Sequence, residues 1–147
     1  MTAEMKETPD RIRVLIVDDE VAYVNALAKR LRKRQFDVTV AYSGTEGVQA
    51  VRKEEFDVAV LDLKMEDMDG IDVLRMFKKM APHMEVLMVT GHGSEEAARE
   101  GIQFGAYDYL IKPCELEELI KFIKQAWQDK KQHEETLSRL TIAEKTH

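Results

Sequence analysis

The chain has few of the residues that stabilise secreted proteins and none of the long apolar stretches that cross membranes. Its 147 residues include one cysteine, Cys114, which excludes an internal disulfide and a metal site built from several cysteines. No apolar run approaches the length of a membrane span. The polar, acidic start is unlike a signal peptide. We therefore expect a cytoplasmic protein without a membrane segment.

The chain also lacks an excess of positive charge, with 22 basic residues against 28 acidic ones. The net charge is −6, so the chain as a whole lacks the electrostatic character of a nucleic-acid binder. The segment 128–147 contains four basic and four acidic residues, a balance that argues against a basic DNA-binding arm. We therefore expect no direct nucleic-acid partner.

Length and composition predict one globular domain. Hydrophobic residues make up 44% of the chain and charged residues 34%, which is typical of such domains. Residues 1–10 are predicted to be a disordered lead and residues 11–127 the domain. Residues 128–147 are predicted to be a helical extension or a linker tail. Apolar residues at near-helical spacing favour extension of the last helix, and a solvated, fraying end is the alternative.

Short apolar runs alternate with segments of helical periodicity, which predicts an α/β fold with a parallel sheet. The five runs are Ile12–Val17, Val38–Ala41, Val58–Leu61, Val86–Val89 and Tyr109–Ile111. The segment from Ser43 to Glu46 has the pattern of a capping box, so a helix is expected to begin there. The fourth helical segment has a thin apolar face and two glycines, Gly101 and Gly105, and is expected to be the least stable helix.

Apolar positions three and four residues apart predict the buried faces of the other helices. These positions are Val24, Leu27, Ala28 and Leu31 in the first helix, Val48 and Val51 in the second, Ile71, Leu74, Phe77 and Met80 in the third, and Leu116, Leu119, Ile120, Ile123 and Trp127 in the fifth.

Polar residues stand at the ends of four of the runs. Asp18 and Asp19 follow the first run, Asp62 the third, Thr90 the fourth and Lys112 the fifth. The carboxyl ends of parallel strands meet at one edge of a sheet, where ligands bind, so these side chains should converge. Carboxylate oxygens are the ligands that Mg²⁺ prefers. The sequence therefore predicts a Mg²⁺ site, in which the metal and Lys112 together balance three carboxylates.

Asp62 is the best candidate for a nucleophile, because it lies between two leucines at a strand end. A carboxylate attacks a phosphoryl group to form an aspartyl phosphate, and Lys112 is placed to stabilise charge on the transferring oxygens. Thr90 is placed to hydrogen-bond one of those oxygens. Taken singly, these residues have structural interpretations as well: Asp19 or Glu20 as the N-cap of the first helix, and Thr90 as an ordinary strand end.

Five short motifs occur in order along the chain. They are Val-Asp18-Asp19-Glu, Leu-Asp62-Leu, Met-Asp69-Gly70, Val-Thr90-Gly91-His92 and Tyr109-Leu-Ile-Lys112-Pro113. Together they resemble the receiver domains of two-component response regulators, over roughly residues 10–127. The stretch Thr90–Gly93 with residues 105–109 is most similar to receivers attached to enhancer-binding transcription activators. The resemblance implies a flavodoxin-like, doubly wound (βα)5 fold with five parallel strands in the order 2-1-3-4-5.

The resemblance also implies the metal ligands and the cofactor, Mg²⁺. Asp19 and Asp62 would bind Mg²⁺ directly, Asp18 would bind it mainly through water, and the backbone carbonyl of Lys64 would complete the protein ligands. Asp62 would accept a phosphoryl group from a phosphohistidine of a sensor histidine kinase.

The resemblance further implies a conformational switch. Thr90 and Lys112 would bind the phosphoryl oxygens, and Thr90 and Tyr109 would form the switch as the hydroxyl moves toward the phosphate. The Lys112–Pro113 bond is expected to be cis. The face made by the fourth helix, fifth strand and fifth helix would then rearrange to control a downstream protein or output domain. A homodimer is expected through that face or through an extended fifth helix.

Two positions depart from the family pattern. Glu66 stands where proline is usual, and Cys114 where an aromatic or apolar residue is usual. A Mg²⁺-dependent aspartyl-phosphate phosphohydrolase is one alternative, although Lys64 stands where such enzymes need an acid or base. A receiver that binds partners without phosphorylation is another. The third alternative is the receiver of a longer DNA-binding regulator, with the tail as a linker helix. We expect a phosphoacceptor signalling domain, assisting its own phosphorylation and dephosphorylation, rather than an enzyme.

Overall fold

One parallel sheet forms the centre of the molecule. The computed structural model describes residues 11–91 and 94–145. The expected lead at residues 1–10, His92 of the fourth motif, Gly93 and the last two residues of the predicted tail lie outside the described residues. The strands are β1 (Arg13–Val17), β2 (Asp37–Ala41), β3 (Val58–Leu61), β4 (Glu85–Thr90) and β5 (Asp108–Ile111). Their order is β2-β1-β3-β4-β5 with parallel pairing throughout, which confirms the predicted arrangement.

Helices cover both faces of this sheet. They are α1 (Val21–Lys33), α2 (Gly44–Lys53), α3 (Gly70–Met80), α4 (Glu95–Gln103) and α5 (Leu116–Lys145). Alternate residues of β1 point to opposite faces, as the pleat of a strand requires. Val14 and Ile16 belong to the apolar cluster of α1 and α5, whereas Leu15 and Val17 belong to the cluster of α2, α3 and α4. Strands buried on both faces explain why the sequence shows continuous apolar runs.

The buried helix faces follow the predicted periodicity in part, because Val51 of α2 and Leu116 and Trp127 of α5 are only partly buried. All four predicted residues of α1 are buried. In α3 the buried set includes Val73 beside Leu74 and Phe77, whereas the predicted Ile71 and Met80 are only partly buried. The buried face of α3 is therefore rotated slightly toward Val73. The spacing of apolar residues does not determine this rotation, because it depends on the neighbouring elements.

The face of α4 is as thin as predicted. Its buried residues are Ala98 and Gly101, and Ile102, a residue of the predicted face, is 39% exposed. Two small residues give α4 little apolar area to bury against the sheet, and burial is the main source of helix stability in a folded protein.

The last helix is much longer than the others. α5 contains 30 residues and therefore includes most of the segment after residue 127. Its first half packs on the sheet through Leu119, Ile120, Ile123 and Ala126. In the described part of the chain, no helix combines the length and apolar character needed to cross a membrane.

A buried carboxylate ties the middle of α5 to the amino edge of the sheet. Asp57 Oδ1 lies 3.1 Å from Lys130 Nζ and 3.1 Å from a guanidinium nitrogen of Arg13. Burial by itself raises the pKa of Asp57, but hydrogen bonds from Arg13 and Lys130 outweigh it and hold this pKa below its usual value. Lys130 lies four residues beyond Ala126, so this contact extends the attachment of α5 past its apolar face.

Ser43 caps α2 as the sequence predicts. The Glu46 N–H donates to Ser43 Oγ at 3.1 Å, and the Tyr42 N–H donates to the Glu46 carboxylate at 2.9 Å. Replacing Ser43 with alanine removes the acceptor, so Ser43→Ala should lower the free energy of unfolding by about 1 kcal/mol in urea denaturation. The control variant Ser43→Asp keeps an acceptor and should lose less than about 0.5 kcal/mol. Equal losses in both variants would mean that the hydrogen bond is not the cause.

Candidate functional site

The ends of the strands bring the predicted site residues to one edge of the sheet. Asp18 directly follows β1, and its N–H donates to the carbonyl of Ala41 at 3.1 Å. Asp62 directly follows β3, and its N–H donates to the carbonyl of Val17 at 3.0 Å. These backbone bonds continue the ladder past the strand ends, so both carboxylates start from fixed backbone positions.

The ladder also places the basic residue of the site. Thr90 is the last residue of β4, and its carbonyl accepts the N–H of Lys112 at 2.7 Å. The peptide bond between Lys112 and Pro113 is cis, as the resemblance to receivers implies. The side chain of Lys112 lies at the same edge as the aspartates.

Lys112 is surrounded by carboxylates. Its Nζ lies 2.6 Å from Asp18 Oδ2, 2.7 Å from Glu20 Oε1 and 3.8 Å from Asp62 Oδ2. The ring of Tyr23 lies on another side, with its centroid 4.6 Å from Nζ. Burial disfavours the charged ammonium, but the hydrogen bonds to Asp18 and Glu20 outweigh it and raise the pKa of Lys112 above its usual range. The lysine is therefore a permanent cation in the site.

Asp62 experiences the opposite balance. Only 6% of this residue is exposed, and burial raises the pKa of its carboxyl to about 6, assisted by the charges of Asp18 and Asp19 and opposed by Lys112. The ionised form, which is the nucleophile, is thus destabilised without a further cation. An added divalent cation at this edge would favour ionisation.

A metal ion finds a suitable set of donors here. One carboxylate oxygen from each of Asp18, Glu20 and Asp62 lies within 4.8 Å of the others. Hard, anionic oxygens of this kind suit Mg²⁺ and leave positions for other ligands. The chemistry of these donors fits the metal that the sequence predicts, although the set contains Glu20 and not the predicted Asp19.

Asp19 is oriented differently from the other acids. Its Oδ2 accepts the backbone N–H of Glu66 at 3.2 Å. Proline, the usual residue of the family pattern at that position, has no N–H to donate. The departure at Glu66 therefore creates a contact between the loop after β3 and the acidic edge. Close to the same loop, the Lys64 N–H faces Asp62 Oδ1 at 3.4 Å.

Thr90 is completely buried, and its hydroxyl has no hydrogen-bond partner among the described residues. Unpaired buried hydroxyl groups are uncommon, because leaving one unsatisfied costs free energy. The neighbouring Gly91 provides space: a Cβ placed there would meet no atom within 4 Å. A threonine hydroxyl without a partner among the described residues keeps a donor for an oxygen that comes within its reach.

The predicted switch residue Tyr109 belongs to β5. It is half-buried on β5 and packs against the cluster that includes Met88 and Ala98. The role of Tyr109 as a switch requires its ring to change position, and this role stays a prediction.

Glu20 is the site residue that sequence reasoning missed. It was considered only as a possible helix cap, and it does occupy the N-cap position of α1, but its side chain accepts no capping hydrogen bond from the described residues. The carboxylate contacts Lys112 instead, 92 residues away in sequence. The sequence did offer one sign of this role: Glu20 directly follows Asp18 and Asp19, so it adds a third acidic side chain to the same cluster.

Comparison with known proteins connects this edge to a family. A sequence model described as response regulator receiver domain matches residues 14–124. The transcriptional regulatory protein ZraR of Escherichia coli strain K12 is 37% identical over 119 residues, which is 81% of this chain. The chain spans only 27% of the length of ZraR.

Solved structures agree with the sequence match. The CheY-like receiver domain protein from Methanospirillum hungatei JF-1 has a TM-score of 0.81 and 31% identity, covering 84% of this chain and 99% of that one. NtrX from Brucella abortus, crystallised with ADP, has a TM-score of 0.82 and 29% identity, covering 86% of this chain and 29% of NtrX. Receiver domains function in phosphorylation-dependent signalling to an output domain. The chain belongs to the response regulator receiver domain family.

Proposed function

We propose that this receiver accepts a phosphoryl group on Asp62 in a Mg²⁺-dependent reaction and thereby controls a downstream protein or output domain. One observation carries the proposal: buried Asp62 shares an edge of the sheet with the ammonium of Lys112, 3.8 Å away, and with the hydroxyl of Thr90, which has no hydrogen-bond partner within the described part of the chain. This set supplies a nucleophile, a cation and a hydrogen-bond donor, which are the groups that phosphoryl transfer requires.

In the proposed reaction, a carboxylate oxygen of Asp62 forms a bond to phosphorus. The bond from phosphorus to the donor breaks, a P–N bond when the donor is a phosphohistidine of a sensor histidine kinase, and its electron pair leaves with the donor. Lys112 and the Thr90 hydroxyl bind the oxygens of the transferred group and stabilise their charge. Asp18, Asp19, Asp62 and the carbonyl of Lys64 would hold Mg²⁺, which when bound neutralises carboxylate and phosphoryl charge.

The proposed output follows from the new phosphoryl charge at this edge. The phosphoryl group adds up to about two negative charges, which attract Thr90 and free Tyr109 to turn toward the space that the hydroxyl leaves. α4 has few buried contacts, and elements that move are drawn from the least stable parts of a fold. The face of α4, β5 and α5 is therefore the proposed surface for the downstream partner, in the cytoplasm.

Self-association is proposed through that face or through the extension of α5. Leu137, Leu140 and Ile142 are 39%, 56% and 60% exposed on the extension, and large apolar side chains at such exposure favour a protein partner. In either case the chain is a phosphoacceptor that assists its own phosphorylation and dephosphorylation. The phosphohydrolase alternative is less favoured because Lys64 takes the place of an acid or base.

Intact mass spectrometry tests the proposal directly. Incubation with acetyl phosphate and Mg²⁺ should add the mass of one phosphoryl group to the wild type and none to Asp62→Asn. Chelation of the metal should abolish the adduct in the wild type as well. Beryllofluoride, a stable mimic of the phosphoryl group, should bind the wild type under the same conditions. It would detect a working site even where the phosphorylated form is too short-lived for mass spectrometry.

Asp69→Asn is the matched control. Asp69 is a nearby exposed aspartate that caps α3 by accepting the Ile71 N–H at 2.8 Å, and asparagine caps equally well. This variant should be phosphorylated like the wild type. An adduct that persists in Asp62→Asn would contradict Asp62 as the acceptor, and failure of both acetyl phosphate and beryllofluoride would favour a receiver that only binds partners.

A further inference from the structure

Glu20 contacts the same lysine that the proposed reaction needs. Lys112 Nζ lies 2.7 Å from Glu20 Oε1 but 3.8 Å from Asp62 Oδ2. We propose that Glu20 is a positioning residue that holds Lys112 away from Asp62 while the domain is unphosphorylated. This inference rests on the proposed function of Asp62 and Lys112, and it assigns to Glu20 the control of how readily the lysine reaches a phosphoryl oxygen.

Short hydrogen bonds fix the position of Glu20. Its backbone N–H donates to Asp18 Oδ1 at 2.9 Å, while the other oxygen of the same carboxylate accepts from Lys112 at 2.6 Å. Asp18 therefore fixes the backbone of Glu20 and also accepts a hydrogen bond from Lys112. With the ring of Tyr23 on a further side, Lys112 is held in a cage of two carboxylates and an aromatic face.

Lys112 has to leave Glu20 before its ammonium can bind a phosphoryl oxygen at Asp62. Asp18 is buried and remains part of the metal site, whereas the side chain of Glu20 is 62% exposed. Water can replace the lysine at an exposed carboxylate, so this contact is the weaker of the two and the one that a phosphoryl oxygen would displace. An ion pair with one partner this exposed changes an equilibrium by about twofold to fivefold.

Binding of beryllofluoride measures this effect without a chemical step. With Mg²⁺ at saturation, Glu20→Gln keeps the size of the side chain, removes its charge, and should lower the dissociation constant for beryllofluoride by about twofold to fivefold. Glu66→Gln is the matched control, because it removes one exposed negative charge from the loop that contacts Asp19 without touching Lys112. An equal gain in both variants would overturn the proposal, since it would reflect net charge alone.

A double-mutant cycle tests the contact itself in the metal-free protein. The effects of Glu20→Gln and Lys112→Met on the unfolding equilibrium in chelator should be coupled by at least about twofold, because the two side chains are in contact. Additive effects would overturn the proposal. Coupling without any gain in beryllofluoride affinity would overturn it too, because the pair would then exist without restraining the lysine.

The two proposals fail in different ways. If the proposed function is wrong, either the phosphoryl adduct persists in Asp62→Asn or the wild type takes up neither the phosphoryl group nor beryllofluoride, whatever the charge at residue 20. If only the role of Glu20 is wrong, Asp62 is modified normally and Glu20→Gln binds beryllofluoride as the wild type does.

Discussion

Replacing Lys112 with methionine should lower the free energy of unfolding of the metal-free protein by about 3 kcal/mol. The ammonium is within 4 Å of three carboxylates, two of them on buried residues. Removing it leaves Asp18 and Asp62 buried with no cation, and an uncompensated buried charge is among the most destabilising changes a protein can undergo. Methionine keeps most of the volume, so the loss reports charge rather than a cavity.

Urea denaturation in the presence of a chelator measures this effect. Lys121→Met is the control, because Lys121 is exposed on α5 and its replacement should change stability by less than about 0.5 kcal/mol. Added Mg²⁺ should stabilise Lys112→Met, since a bound cation replaces the lost charge and stabilises the native state by mass action. A stability equal to that of the wild type in chelator would show that the carboxylates tolerate one another without the lysine.

Replacing Asp62 with asparagine should have the opposite effect on the metal-free protein. Burial and the neighbouring aspartates raise the pKa of Asp62 from 3.8 to about 6, so folding favours its protonated form. This difference corresponds to about 3 kcal/mol at full strength, and solvent screening at the sheet edge reduces it to about 1–2 kcal/mol. Asp62→Asn removes the ionisable group and should be more stable than the wild type by that amount at neutral pH.

The pH dependence identifies the cause of that gain. An acid with a raised pKa in the folded state favours folding most below its unfolded pKa, and this contribution is lost as the pH rises through the folded pKa. The stability advantage of Asp62→Asn should therefore be small near pH 4, grow up to about pH 6 and then level off. Denaturation curves in chelator at a series of pH values measure it. An advantage that does not change with pH would point to packing instead of ionisation.

The fold could be predicted because the signals that determine it are local. Each strand is buried on both faces, so it appears in the sequence as a short apolar run, and each run is followed by a helical repeat. The strand order depended on the resemblance to receivers, since an apolar run such as Val58–Leu61 carries no information about which strand it pairs with. Val73 joined the buried face of α3 because the helix rotation depends on neighbouring elements.

The candidate site was predictable to the extent that strand ends determine it. Asp18, Asp62, Thr90 and Lys112 converge because parallel strands end at one edge. The role of Glu20 was not predictable in this way, because its side chain contacts Lys112, which is distant in sequence. Likewise, the contact from the Glu66 N–H to Asp19 depends on the shape of a loop, for which the sequence offered only the missing proline as a sign.

The length of α5 gives the molecule a lever. The helix begins four residues after Lys112, measures about 45 Å from end to end, and is exposed along its described side chains beyond Lys130. The part beyond Lys130 measures about 22 Å, so a bend of about 10° where the attached part ends would carry the far end through about 4 Å. A shift of the attached part that is smaller than one bond length can thus become a displacement wide enough to separate or join whatever lies against the end of the helix.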